Sequence, residues 1–487
     1  MELSAHQMAA LLQAGEISAQ SLVEAALAQT KAQAYLNAIC TLNSANARAR
    51  AIAADEATAC GESWGPLHGV PITIKDLFET QGLRTTAGLT ELTHYTPTED
   101  APTVARLRQA GAIILGKTNG PRAGGDYQSD NPIFGRTSNP WDRDRTPGGS
   151  SGGGAAAVAA GLSSLDLCSD YGGSIRLPAH FCGIYGFKPT DRLVPTLGHL
   201  PPTPGLPESI RQMLTVGVLA RSLQDLRLGL EIIAGPTPAQ PDIPPVPLPP
   251  SIPKPLTGIR LAWCQGIAPL WPQTDIQKAI AQAAGALETA GATLQPFSPQ
   301  DWDWEQWLRV YYRLSVLSLR YVQRPSLATL GPLAQAFRRE WGQSDPEFRP
   351  LMMVRHALPV LLRHSLRDYF EAVTERDRLT ARLDRAIQSY DALLLPVAMT
   401  TAYRHCPTGS PITVDGKVVP YWLANGAYLQ PFNLSGHPAV VIPIGQDSDG
   451  MPIGLQIVGQ RWQDGALLDA AEAIDAVVGC RLFPPAV

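Results

Sequence analysis

Hydrophobic residues recur at helical spacing in the first sixty residues of the chain. Ser4 can cap a helix that ends at Gly15, and Ser18 can cap a second helix through QSLVEAALAQTKAQ. A third helix is predicted over residues 44–58. We expect these three helices to cover a core built from the strands that follow.

Short apolar runs predict buried strands farther along the chain. VPITI at 70–74 is one such run and ends at Lys75, and residues 112–115 form another. Near the C-terminus, PAVVIPIG and GLQIVG predict paired core strands, and Asp415 with Gly416 is the preferred turn of a hairpin. The other predicted elements are a helix at 98–110, IRLAW as a strand before a helix at 275–290, a helix at 374–390 before the strand ALLLPVA, and a closing helix from Asp464.

Proline supplies ten of the twenty residues from 236 to 255, which predicts an extended, solvated connection on the surface. The sequence beyond it is rich in aromatic residues that can wall a substrate cleft or belong to the core: Trp302, Trp304, Trp307, Tyr311 and Tyr312. No internal repeat is evident. We expect one large α/β domain built around a single sheet.

Composition narrows the classes of function. The chain has 487 residues, 45% of them hydrophobic and 17% charged, as expected of a globular protein with a sizeable core. A formal net charge of −4 and a pI near 6.2 provide no basic footprint for nucleic acid or an anionic membrane. Seven widely spaced cysteines without a CxxC pair indicate reduced thiols. The sequence shows no secretory signal and no membrane-spanning run, so we expect a cytoplasmic protein.

The stretch from 145 to 176 carries the candidate chemistry. It opens with RTPGGSSGGG and closes with CSDYGGSIR, so that two glycine-backed serines, Ser150 and Ser174, stand 24 positions apart. The small-residue segment at 155–162 predicts a closely packed helix that brings the two turns together. Glycine is used where backbone must approach a ligand closely, and the two turns together suggest a hydrolytic centre.

Two familiar motifs occur in the sequence without the flanking secondary structure that each requires. Residues 111–118 match the phosphate-binding pattern GxxxxGKT, but the four intervening residues predict a buried strand, whereas a P-loop follows its strand. Residues 148–152 match the GxSxG elbow of α/β-hydrolases, but the charged, proline-punctuated NPWDRDRTP precedes them in place of the required strand. Nucleotide binding and an elbow nucleophile are therefore not expected.

PGGSSGG, followed by D-x-GGSIR-x-PA, resembles the amidase signature family. The resemblance extends over nearly the whole chain through GVPITIKDLF, AGAIILGKTN, NPIFGRTSNPWD, GFKPT and PFNLSGHPAVVIPIG. It implies the amidase-signature fold, a large mixed central β-sheet covered by helices on both faces. The expected organisation is one amidase domain over 1–487, with covering helices at 1–60, a catalytic core at 61–235, a proline-rich connection at 236–258, a variable helical section bearing the substrate cleft at 259–385, and the C-terminal part of the core sheet at 386–487.

The resemblance also assigns roles to residues. Ser174 is the implied nucleophile, Ser150 the relay serine, and Lys75 the base, since a buried lysine can be neutral at pH 7. The implied oxyanion hole is formed by the backbone N–H groups of Tyr171, Gly172, Gly173 and Ser174. The resemblance also implies a cis peptide bond before Ser150. The implied supporting residues are Ser151, Asp170 and Arg176. Asp170 and Arg176 either hold the turns by charge-assisted hydrogen bonds or form a simple ion pair.

Neither a metal nor a cofactor is expected, because none of the nine histidines forms an HExxH pair or joins a cysteine cluster. Two positions depart from the family pattern near the expected substrate pocket: Arg122 stands where many members carry an acidic residue, and Tyr171 replaces the usual glycine or threonine. The identity of the amide is therefore left open, as is the oligomeric state, for which a homodimer is one arrangement.

Three functions compete. The first is a stand-alone amidase that cleaves a small-molecule carboxamide to a carboxylate and ammonia or an amine. The second is the glutaminase subunit of a tRNA-dependent amidotransferase, which shares the relay and needs a partner chain. We expect the first, since the middle and C-terminal sequence looks less like that subunit than like general amidases. The third, an inactive binding module, is disfavoured because Lys75, Ser150 and Ser174 are all retained.

Overall fold

A computed structural model describes residues 3–206, 208–297, 302–319, 327–362 and 365–485. Its α-helices are α1 (Ala5–Gln13), α2 (Ala19–Ala32), α3 (Ser44–Ala59), α4 (Pro102–Gln109), α5 (Gly152–Ala159), α6 (Arg176–Cys182), α7 (Leu223–Ile233), α8 (Thr274–Thr289), α9 (Trp304–Leu319), α10 (Leu327–Gln343), α11 (Met353–Leu362), α12 (Leu366–Ile387), α13 (Tyr421–Gly426), α14 (Gln430–Leu434) and α15 (Asp464–Val478).

The strands are β1 (Ile39–Leu42), β2 (Pro71–Lys75), β3 (Ile113–Thr118), β4 (Asp130–Asn131), β5 (Gly135–Arg136), β6 (Leu165–Asp170), β7 (Tyr185–Lys188), β8 (Thr215–Ala220), β9 (Arg260–Trp263), β10 (Thr293–Pro296), β11 (Ala392–Pro396), β12 (Ile412–Val414), β13 (Lys417–Val419), β14 (Ala439–Gln446) and β15 (Pro452–Val458). In the described part of the chain, eleven of them form one sheet in the order β1-β3-β2-β6-β8-β7-β14-β15-β11-β9-β10. The sheet is mixed, because β2 pairs parallel with β3 and β6, whereas β6 and β8 pair antiparallel.

Successive residues of the central strands face two separate cores, as the period of a strand requires. Val440 and Ile442 of β14 belong to a core covered by α1–α4, α7, α8 and α15. Val441 of the same strand packs into a second core formed with α5, α6, α9 and α12–α14. The predicted α/β fold, a large mixed sheet with helices on both faces, is confirmed.

The predicted serine caps at the start of the first two helices are confirmed. Ser4 caps α1 in a capping box with Gln7, and the Ser18 side chain accepts from the Ser21 N–H at the start of α2. Pro102 occupies the first turn of α4. The hairpin is also confirmed, since Asp415 and Gly416 both have positive φ between β12 and β13.

Some boundaries differ from the prediction. The small-residue helix begins at Gly152 and ends at Ala159, and α12 begins at Leu366, eight residues before the predicted start. The second apolar run extends through Gly116 to Thr118 as β3, so Lys117 lies inside a strand, and this geometry excludes a P-loop there. The strand β10 was not predicted, because its residues are largely exposed.

The aromatic cluster of α9 is mainly core. Trp304, Trp307 and Tyr312 are almost fully buried, and Trp304 packs edge-on against Tyr428. Tyr311 differs, since its hydroxyl donates to the carbonyl of Tyr171. Residues 244–255 of the proline-rich connection form neither helix nor strand. Among the described helices, none is long and apolar enough to cross a bilayer.

Candidate active site

The centre of the site is a buried lysine at the end of a sheet strand. Lys75 is the last residue of β2 and is 1% exposed. Its Nζ lies 2.7 Å from Ser150 Oγ, 2.8 Å from Ser151 Oγ and 3.3 Å from Ser169 Oγ. The structure thus brings together the predicted base, the predicted relay serine and two further hydroxyl groups.

Burial changes the chemistry of this amine. Removal from water disfavours the charged form and lowers the pKa of Lys75 to about 8, while the nearby groups Cys168, Asp166 and Asp170 act in the opposite direction. A lysine with this pKa has an appreciable neutral fraction near pH 7 and can accept a proton.

Ser150 and Ser151 form the turn that faces Lys75. The Gly149–Ser150 peptide bond is cis, as the family resemblance implied, and α5 begins immediately after Ser151. The Ser151 N–H donates to the carbonyl of Ser174 at 3.2 Å. This backbone hydrogen bond joins the turn of the relay serine to the turn of the candidate nucleophile.

Glycine is required in the turn before Ser174. A Cβ on Gly172 would lie 2.5 Å from the Tyr311 hydroxyl, and a Cβ on Gly173 would lie 2.3 Å from Leu429. Gly173 also has a φ of +120°, which other residues rarely adopt. The turn can therefore approach its neighbours this closely only as glycine.

The backbone N–H groups of this turn are not equivalent. The Gly173 N–H donates to Asp170 Oδ1 at 2.8 Å, so it is already engaged. The N–H groups of Tyr171, Gly172 and Ser174 have no hydrogen-bond partner in the described part of the chain. Of the four predicted oxyanion donors, these three are free to bind a carbonyl oxygen.

Two tyrosines hold the carbonyl groups of the same turn. Tyr127 Oη donates to Gly172 O at 2.9 Å, and Tyr311 Oη donates to Tyr171 O at 3.2 Å. Gln430 in turn donates to Tyr127 Oη at 3.1 Å. These bonds come from three distant parts of the chain and limit rotation of the peptide groups that present the free N–H donors.

Asp170 and Arg176 form more than a simple ion pair. Both are fully buried, and Arg176 donates to the two carboxylate oxygens of Asp170 at 2.9 and 3.0 Å. The carboxylate also accepts from the backbone N–H groups of Gly173 and Ile175. Burial alone would raise the pKa of Asp170, but the charge and hydrogen bonds of Arg176 outweigh it and hold the pKa well below its usual range. The pair therefore ties the turn of the candidate nucleophile to α6.

The loop that carries Arg122 borders Ser150, the predicted relay serine. A Cβ on Gly120 would lie 2.7 Å from Ser150 O, and one on Gly124 would lie 3.4 Å from Ser150 Oγ. Arg122 itself points outward and forms an ion pair with Glu91 at 3.4 Å. The departure at Arg122 thus lies beside the site, without contacting the three central side chains.

Sequence reasoning missed Ser169, His199 and Ser129. Ser169 Oγ lies between Lys75 Nζ and His199 Nε2, at 3.3 and 2.8 Å. Ser129 Oγ accepts from the Gly152 N–H and donates to Gly148 O, both at 3.0 Å, which fixes the loop on either side of Ser150. Ser169 lies within the quoted motif, whereas His199 and Ser129 had no local signal.

A cavity of about 600 Å³ lies elsewhere, lined by Arg145, Thr401, Asp415 and Asp447 among others. It includes none of Lys75, Ser150 and Ser174. We therefore locate the candidate active site by its side-chain chemistry and not by cavity size.

A mixed sheet covered on both faces, with a buried lysine against one glycine-backed serine turn that is hydrogen-bonded to a second, is the arrangement of an amidase-type enzyme that cleaves a C–N bond. The family model for Amidase matches residues 21–468, and the chain belongs to this family. The resemblance stated from the motifs is confirmed.

Curated relatives cover the full length of the chain. An A-type subunit of glutamyl-tRNA(Gln) amidotransferase from Roseiflexus castenholzii is 33% identical, and the alignment covers 100% of this chain and 98% of that protein. A protein of the same name from Moorella thermoacetica is 32% identical over 97% of this chain and 96% of its own length. Among solved structures, a peptide amidase from Stenotrophomonas maltophilia has a TM-score of 0.79 at 29% identity, over 99% of this chain and 98% of that one.

These comparisons correct one expectation. The prediction of a stand-alone amidase for a small-molecule carboxamide is wrong, because the curated relatives at 32–33% identity carry the name of an amidotransferase subunit. The expected dissimilarity of the middle and C-terminal sequence to such a subunit is also not found, since the alignment covers both parts. Motifs around the shared relay could not separate the two functions.

Proposed function

We propose that this chain is the amide-cleaving subunit of a glutamyl-tRNA(Gln) amidotransferase, and that it releases ammonia from the side-chain amide of glutamine. The observation that carries the proposal is the identity of 33% to the A-type subunit of such an enzyme over the whole chain. The buried Lys75 beside Ser150 and Ser151 supports it, because amide hydrolysis requires a base of this kind.

In the proposed reaction, neutral Lys75 accepts the proton of Ser150 Oγ, and Ser150 accepts that of Ser174 as Ser174 Oγ attacks the amide carbonyl carbon. The N–H groups of Tyr171, Gly172 and Ser174 are suited to stabilise the oxyanion because none is otherwise engaged in the described part of the chain.

When the C–N bond breaks, the relay returns a proton to the nitrogen, which leaves as ammonia. Water then attacks the acyl group on Ser174, giving its proton to the relay, and glutamate is released with Ser174 restored. Atoms and protons balance over the two steps, with no other reactant needed.

A partner chain is part of the proposal, because ammonia must reach a glutamyl-tRNA acceptor. The net charge of −4 gives the chain no overall attraction to tRNA, so we assign binding of the nucleic acid to the partner. Leu366 and Phe370, one turn apart on α12, have relative exposures of 71% and 58%. An exposed apolar pair of this kind fits a surface that a protein covers.

The test uses the purified chain with and without the remaining subunits of such an amidotransferase. We expect glutamine-dependent conversion of glutamyl-tRNA(Gln) to glutaminyl-tRNA(Gln) only when the subunits are combined. The Ser174→Ala variant should assemble equally well and lose the reaction with glutamine, while added ammonia should still support it. Failure of the native assembly to use glutamine, with ammonia still used, would refute the proposal.

A further inference from the structure

Three hydroxyl groups surround the Lys75 amine, and the role of each depends on where its own proton points. A neutral amine has two N–H donors and one lone pair, so only one of the three serines can donate to it. The proposed relay needs that donor to be Ser150, whose Oγ lies 2.7 Å from Nζ. Ser151 and Ser169, at 2.8 and 3.3 Å, would compete for the lone pair if their protons were free.

The hydroxyl proton of Ser151 has an acceptor other than Lys75. Ser151 Oγ donates to the carbonyl oxygen of Ser169 at 3.4 Å, so its lone pairs face Lys75. This is a long hydrogen bond, but the acceptor is buried within the same site.

Ser169 has a different partner. His199 Nε2 lies 2.8 Å from Ser169 Oγ, and in the described part of the chain the Ser169 hydroxyl contacts only this nitrogen and Lys75 Nζ. Because Lys75 donates to Ser169, the proton of Ser169 is free to point at the ring nitrogen. His199 is 7% exposed and packs edge-on against Phe78 at 5.1 Å between ring centroids, which fixes the plane of the imidazole.

We propose that His199 is a positioning residue: its Nε2 accepts the proton of Ser169, so that Ser150 is left as the one serine able to give a proton to Lys75. The inference rests on the proposed function, because it assigns a direction to the same relay. Burial and the positive charge of Lys75 lower the pKa of His199 to about 3, against a smaller opposing effect of the Pro201 backbone, so the ring stays neutral and can accept. The other groups that act on Lys75 are Cys168, Asp166 and Asp170, and none of them contacts Ser169 Oγ.

Replacement of His199 separates its acceptor nitrogen from its ring. His199→Phe keeps an aromatic ring against Phe78 and removes the acceptor, so Ser169 can turn its proton to Lys75 and compete with Ser150. His199→Gln loses the ring but restores an acceptor, since its side-chain carbonyl reaches about as far as Nε2. The matched control is His68→Phe, because His68 is also 7% exposed and packs edge-on against Trp64 at 4.9 Å, far from these serines.

The measurement is the rate at which a fluorophosphonate probe labels Ser174 from pH 6 to 10, which requires no knowledge of the natural substrate. We expect His199→Phe to label about tenfold more slowly on the plateau above pH 8, because Ser169 then occupies the lone pair that Ser150 needs. The acidic limb should also shift to lower pH, because the hydrogen bond from Ser169 stabilises the neutral amine. His199→Gln should keep the native limb and most of the native rate, and His68→Phe should leave both unchanged.

A double-mutant cycle tests the route through Ser169. If His199 acts by holding the Ser169 proton, His199→Phe should change the rate less than about twofold in a Ser169→Ala background. An equal loss in both backgrounds, a native rate and limb in His199→Phe, or a His199→Gln as slow as His199→Phe would each overturn the inference. If His199→Phe does not fold, judged by its melting curve, a tenfold slower or limb-shifted His199→Gln overturns it.

The outcomes also separate this inference from the proposed function. A native assembly that uses ammonia but not glutamine would refute the proposed function and the inference with it. A native protein labelled at Ser174, with His199→Phe labelled at the same rate, would refute the inference alone.

Discussion

Protonation of Lys75 should control the acidic side of the pH profile. The proposed relay needs a neutral amine, and burial lowers the pKa of Lys75 from its ordinary 10.5 to about 8. Below that pH the amine carries a proton and cannot accept another, so activity should fall about tenfold for each pH unit. Above it the amine is neutral, and activity should reach a plateau.

The size of the effect follows from the two pKa values. With a pKa of about 8, roughly 9% of Lys75 is neutral at pH 7; with the ordinary 10.5, about 0.03% would be. Burial thus raises the population of usable base by a few hundredfold, on the order of 3 kcal/mol.

The assay is the second-order rate of fluorophosphonate labelling at Ser174, measured from pH 6 to 10. The native protein should show one acidic limb with an apparent pKa of about 8. Lys75→Ala should label more slowly by several orders of magnitude and lose the limb, because nothing is left to titrate. Lys75→Arg should not restore the rate, since a guanidinium stays protonated.

Lys117 provides a matched control. It lies on the neighbouring strand, is fully buried, and has its pKa lowered to about 8 by burial, as Lys75 does. Its Nζ donates to Thr80 and Thr85 and contacts no serine of the site. Lys117→Met should therefore lose stability but keep the limb. A Lys75→Arg variant within tenfold of the native rate, or a limb that moves only in Lys117→Met, would refute the assignment of the base.

Three further predictions concern Ser174, Gly172 and Glu340. Ser174→Ala should abolish labelling without changing the melting temperature; a labelled variant would exclude it as nucleophile. Gly172→Ala should slow labelling about 100-fold, because its Cβ meets the Tyr311 hydroxyl at 2.5 Å, while Gly445→Ala, with open space around its Cβ, should not; equal rates would contradict the crowding. Burial raises the pKa of Glu340 from 4.5 to about 8, so the native protein should lose stability as the pH rises from about 4.5 to about 8, and Glu340→Gln should remove that loss, on the order of 5 kcal/mol in urea titrations. A Glu340→Gln variant with the native pH dependence would show that this carboxyl does not titrate in the folded state.

The boundaries of α5 show where local reasoning stops. The small-residue segment predicts a helix over residues 155–162, and residues 152–154 before it are all glycine, a poor helix former. The helix begins at Gly152, and a Cβ at Gly152, Gly153 or Gly154 would lie within 2.4 Å of atoms of other segments. Tertiary packing, and not helix propensity, requires glycine here.

Functional assignment shows a similar limit. The motifs around Lys75, Ser150 and Ser174 sufficed for the family, because several of them occur in the family's order over nearly the whole chain. They could not separate a stand-alone amidase from one subunit of an amidotransferase, since both would use the same relay. Full-length comparison overturned the first choice.

The sequence by itself determined the features that depend on neighbours in the chain. Serine caps at Ser4 and Ser18, the hairpin turn at Asp415 and the apolar run before Lys75 follow from local hydrogen bonding and burial. Only the tertiary structure decided which hydroxyls surround the amine. His199 is 30 positions from Ser169 and carries no motif, so its 2.8 Å contact exists only because the folded chain brings the two together.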